Sequence, residues 1–60
     1  MNPKEYRIKK QISLRGMARL LGCSHQYVDF IEKGTRAPTA RIIRKYETVT
    51  NGKVKFKDFK

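Results

Sequence analysis

The chain has 60 residues, enough for one domain and close to the lower limit at which a polypeptide folds without metals or crosslinks. Its 15 Lys and Arg against 5 Asp and Glu give a net charge of +10, which suits a polyanionic partner, either nucleic acid or an anionic membrane surface. One cysteine excludes an intrachain disulfide and a Cys/His zinc site; with no signal-peptide core after Met1 and no apolar run near the roughly 20 residues of a membrane span, a cytoplasmic protein is expected.

Asn2-Pro3 is a helix start, a capping side chain followed by a proline whose missing N–H costs nothing at the first position. A first helix is predicted over 3–11, with Tyr6, Ile8 and Ile12 among lysines and Arg7. Ser13 caps a second, in which Leu14, Met17, Ala18 and Leu21 recur at helical spacing until Gly22 closes it. Ser24 caps a third, through about Lys33, and Gly34 ends it. The loop Thr35-Arg36-Ala37-Pro38 leads to a fourth over 39–50, carrying Ile42, Ile43, Tyr46 and Val49. After the turn signal Asn51-Gly52, residues 53–57 alternate strictly and predict a C-terminal strand. The expectation is a mainly α single domain over 1–60, four short helices and one strand. Its core is expected from Tyr6, Ile12, Met17, Ala18, Leu21, Val28, Ile31, Ile43, Tyr46 and Val49.

Gly22 makes a tight turn between two short helices and lets the second leave at a steep angle, the geometry of a helix-turn-helix over about 14–33. Ala18 is small where those helices approach, and Val28 and Ile31 face inward. Steps of ~100° then place Gln26, Asp29, Phe30 and Lys33 on the opposite face of the third helix, open to a ligand.

Ala18, Leu21-Gly22-Cys23-Ser24, Val28 and Ile31-Glu32-Lys33-Gly34 with Pro38 resemble the phage-repressor (Cro and cI-like) helix-turn-helix family. "IEKGTRAP" looks like the family's ending after its recognition helix, Tyr6-Arg7 and Ile12-Ser13 like its first helix and second cap. "RIIRKYETVTNGKV" is similar to the last helix and turn of small Cro-type and antitoxin-type members, so the likeness covers about residues 5 to 56. Leu14 and Gly16 stand where the family often has Gln and Glu, and Asp29 where it commonly has a small hydroxyl residue.

The resemblance implies a sequence-specific double-stranded DNA-binding regulator, a Cro-type repressor on an inverted-repeat operator. His25 and Gln26 open the recognition helix and are the expected base readers, Gln26 through adenine N6 and N7. Phe30 is a further base contact against a thymine methyl, or else packs under the loop before Pro38. Asp29 needs a cytosine amino group or a cation such as Arg36, and Glu32 ties the helix end to nearby backbone. Arg15, Ser24, Tyr27, Lys33, Thr35, Arg36 and Arg41 are the expected phosphate contacts, with Arg19 and Arg44 as additions; Tyr27 otherwise flanks the core. Cro-type relatives dimerise through such a strand, so Val54 and Phe56 are expected at the interface of a weak dimer, or one formed on DNA. The alternative is that Val54 and Phe59 close the core of a monomer.

No cofactor, small-molecule substrate or metal is expected, since His25 is the one histidine. An enzyme is disfavoured because adjacent Ser24 and His25 point apart on one helix and so small a domain has little pocket to exclude water. A membrane-surface peptide would need one broad apolar face. The rival reading is a basic, antitoxin-like or phage-encoded module that grips an acidic protein; a sequence-blind nucleic-acid binder would have no use for the Gln26 cluster.

Overall fold

The computed structural model describes residues 1–59; Lys60, the last residue of the expected domain, lies outside the described residues. Four α-helices follow in order, α1 (Pro3–Lys9), α2 (Leu14–Leu21), α3 (His25–Lys33) and α4 (Ala40–Val49), and a 3-10 helix (Phe56–Phe59) ends the described chain.

Each helix starts on the side chain the sequence offers. Asn2 Oδ1 accepts the N–H groups of Lys4 and Glu5 at 2.8 and 3.4 Å. Ser13 Oγ accepts from Gly16 at 2.9 Å, Ser24 Oγ from Tyr27 at 3.1 Å, and Thr39 Oγ1 from Ile42 at 3.3 Å. Such caps satisfy N–H groups that have no partner within the helix, each contributing about 1 kcal/mol. The helix ends differ more. α1 stops two residues short of the expected 11 because Gln11 takes a left-handed φ of 57°, and the Ile12 N–H turns back to Arg7 O at 3.0 Å. Gly22, at φ 74°, closes α2, with the N–H groups of Gly22 and Cys23 both donating to Ala18 O at 2.8 and 3.0 Å. Gly34, at φ 78°, closes α3.

α2, α3 and α4 pack around one core of Met17, Ala18, Leu21, Val28, Ile31, Ile42 and Tyr46, with Ile43 also buried. Tyr6, Ile12 and Val49, expected inside, are half-buried on its margin. Ala18 is 4 % exposed, in the helix that packs directly on α3. Its small side chain sets how closely the two helices meet.

The C-terminal strand expected over 53–57 is not formed; no strand occurs among the described residues. Asn51 and Gly52 both take left-handed φ, 58° and 82°, which turns the chain back across the end of α4. There the Thr50 hydroxyl donates to Tyr46 O and accepts the Val54 N–H at 3.0 Å, so the backbone that would start a ladder is already bonded. Asp58 then accepts the Lys55 N–H at 2.8 Å and Phe59 sets its ring edge against Tyr46, centroids 5.0 Å apart. The alternation that reads as a strand is one buried side chain between lysines in a turn. Val54 is fully buried in its own core, which removes it from the expected dimer face and leaves Phe56, 59 % exposed, on the 3-10 helix. Val54 and Phe59 do close the core.

Candidate nucleic-acid interface

α3 is held at both ends. At its start, the αL turn at Gly22 and the Ser24 cap fix where the first turn points. At its end, the Glu32 carboxylate accepts two hydrogen bonds from the Arg7 guanidinium, Nε at 2.8 Å and Nη2 at 3.1 Å. Arg7 also donates through Nη1 to Ile12 O at 3.0 Å, so one side chain joins α1, the loop before α2, and α3. The side chains are 13 % and 4 % exposed, and the bond to Glu32 raises the Arg7 pKa further above its ordinary value. Glu32 is therefore structural as expected, but its partner is Arg7 rather than backbone.

With Val28 and Ile31 buried, the opposite face of α3 presents Gln26, Phe30 and Lys33 exposed and Asp29 half-buried. Asp29 pairs with Lys33, one helical turn on, at 3.0 Å, not with Arg36. Arg36 instead lies over the Phe30 ring, 6.0 Å from its centroid. Phe30 is 42 % exposed, so it does not pack away under the loop before Pro38. Thr35 anchors that loop to α3, its N–H and hydroxyl both donating to Phe30 O at 3.0 and 3.2 Å.

Two cationic clefts adjoin the helix-turn-helix. One, about 330 Å³, is lined by Arg15, Ala18, Arg19, Cys23, Ser24 and His25. The other, about 360 Å³, is lined by Leu21, Gly22, Tyr27, Thr39, Arg41, Ile42 and Lys45. The fold thus gathers Arg15, Ser24 and His25 with Arg19, and separately Tyr27 and Arg41 with Lys45. Lys33, Thr35 and Arg36 line neither cleft; they lie at the far end of a nine-residue helix, about 12 Å along its axis. Tyr27 flanks the core, the second of its two expected roles. Its ring packs on the core, and its hydroxyl accepts the Thr39 N–H at 3.3 Å, which leaves the hydroxyl proton to donate outward. Burial pushes the Cys23 thiol up, so it stays protonated at the margin of the first cleft.

Two side chains that shape the candidate interface escape sequence reasoning. Lys45 sits one turn after Arg41 and shares its cleft, a spacing the sequence displays plainly. Arg7 falls on the same α1 stripe as Pro3 and Tyr6, at i+4 and i+1, and a charge on an inward stripe is the available sign of a buried partner. Among the described residues, no three His, Cys, Asp or Glu side chains gather as metal ligands would.

Among the described residues, Asp29, Glu32 and Asp58 are engaged in ion pairs, and no carboxylate lines either cationic cleft. No helix among the described residues is long and apolar enough to cross a membrane. A family model described as helix-turn-helix matches residues 4–56, nearly the whole chain. No curated protein and no solved structure gives a significant match. With α2 and α3 forming the motif and cations flanking it, the chain belongs to the helix-turn-helix family of DNA-binding regulators that includes the Cro- and cI-like repressors.

Proposed function

We propose that this protein is a phage or prophage Cro-type repressor that binds an inverted-repeat operator, one copy on each half-site. The observation that carries the reading is the outward face of α3, where Gln26, Asp29, Phe30 and Lys33 stand clear of the core. In this reading the face enters the major groove. His25 and Gln26 read base edges from the first turn, and Phe30 and Asp29 read further along.

Phosphates lie on both sides of the groove. Arg15, Ser24 and Arg19 line one cleft and Tyr27, Arg41 and Lys45 the other, so each is suited to one strand. Lys33, Thr35 and Arg36 grip the backbone beyond the end of α3. These contacts set register and supply affinity that falls with salt.

The Cα extents, 22 × 22 × 18 Å, are shorter than the ~34 Å turn that separates half-sites, so a two-fold operator needs two copies. Their contact is weak or forms on DNA, and Phe56 on the 3-10 helix is its proposed centre. Selection of bound sequences from a random duplex pool tests the reading. A single enriched inverted repeat is expected; recovery of unrelated sequences alone would end it and favour a protein-interaction module.

A further inference from the structure

Phe30 is an apolar side chain on a polar surface, and the core does not need it. Val28 and Ile31 already bury the inward face of α3, at 0 and 6 % exposure, while Phe30 stays 42 % exposed between Gln26 and Lys33. The loop after α3 nevertheless constrains it. Arg36 covers the ring at 6.0 Å, and the loop carrying Arg36 is tied through Thr35 to the carbonyl of Phe30 itself. Backbone and ring of one residue are thus held by one loop, which reduces the rotamer freedom lost on binding.

If α3 lies in the major groove, as proposed above, the ring meets base edges whose one apolar group is the C5-methyl of thymine. 5-Methylcytosine carries the same methyl at the same position. We infer that Phe30 reads the 5-methyl group of a pyrimidine and that Arg36 positions it, so that binding responds to cytosine methylation as well as to thymine. Gln26 lies one helical turn before Phe30 on the same face, about 6 Å away. With ~3.4 Å between successive bases on a strand, the adenine read by Gln26 stands within two base pairs of the methylated pyrimidine.

The test starts from the sequence selected by the wild-type protein. Each thymine of the half-site is replaced in turn by deoxyuridine, which removes the methyl and nothing else. At one of them affinity is expected to fall about fourfold, the effect of one buried methyl. Exchanging that T·A pair for C·G weakens binding further, and methylating the new cytosine at C5 restores about fourfold. Phe30→Ala should bind both members of each pair alike. Phe30→Leu, which keeps an apolar side chain should alanine perturb the fold, should retain part of the difference. Arg36→Ala should shrink the thymine-to-uracil ratio, whereas Lys33→Ala should weaken both duplexes equally. A wild-type protein indifferent to every methyl, or a Phe30→Ala variant that keeps the ratio, overturns the inference while leaving groove binding intact. A random pool that yields no preferred sequence overturns the groove reading itself, and this inference with it.

Discussion

The pair between Arg7 and Glu32 ties α1 to α3 through two side-chain hydrogen bonds, and its loss should be felt across the domain. Arg7→Ala strands a carboxylate that is 4 % exposed and leaves Ile12 O without its donor. Both residues are part-buried, so removing one partner should cost about 2–4 kcal/mol, below the top of the range for a fully buried pair. A domain of this size has about 3–9 kcal/mol in total at ~0.05–0.15 kcal/mol per residue. The variant should therefore melt at least about 8 °C lower, taking ~4 °C per kcal/mol as the small end of the range for short domains. Glu32→Gln keeps an acceptor for Arg7 and should lose less. Arg7→Met with Glu32→Leu, which removes both charges, should recover most of the loss. Urea and thermal unfolding followed by circular dichroism give all four values. Single variants within about 0.5 kcal/mol of wild type would mean the pair behaves as a solvated surface bridge, and the burial reasoning would be wrong.

Ala18→Leu should destabilise by about 1–3 kcal/mol through overpacking between α2 and α3; an unchanged melting temperature would contradict their close approach. Tyr46 is fully buried with its hydroxyl unbonded, and burial raises its pKa, so Tyr46→Phe should stabilise by about 1 kcal/mol, read from the urea midpoint. The Lys55 N–H and then the terminal ammonium, 3.0 Å away, hold Asp58 below the usual carboxylate range. A lowered folded pKa stabilises above the unfolded value, near pH 4, and that part is lost as pH falls through the folded value. Asp58→Asn should lack this portion of the acid loss, seen as a shrinking difference between the two proteins below about pH 4.

The helix starts were legible because each depends on a side chain next to the helix it caps, as with Asn2, Ser13, Ser24 and Thr39. The helix-turn-helix was legible for the same reason, since Gly22, Ala18 and the Val28–Ile31 stripe are local signals. Gly16 costs helix propensity, and the surroundings a Cβ would meet there, the Ser13 hydroxyl at 3.2 Å and Ile12 Cγ2 at 3.3 Å, are visible only in space. The C-terminus is not legible in the sequence, because alternation over five residues does not separate a strand from a turn burying one side chain. Thr50, which decides between them through bonds to Tyr46 and Val54, carries no pattern of its own. Arg7 and Glu32 meet across 25 residues, and Asp29 takes Lys33 over Arg36 because one helical turn places the ammonium at 3.0 Å. The outward side of α3 followed from spacing alone, whereas the two clefts beside it needed α2 and α4 in place.

The central claim is that the outward face of α3 reads base sequence while the clefts beside it hold phosphates. Its most direct test is the affinity of Gln26→Ala, beside wild type, for the selected operator and for a random duplex at fixed salt. A loss of about 1–3 kcal/mol on the operator with little change on the random duplex is predicted, as a base contact requires. An equal loss on both duplexes would make Gln26 another phosphate contact and contradict the account.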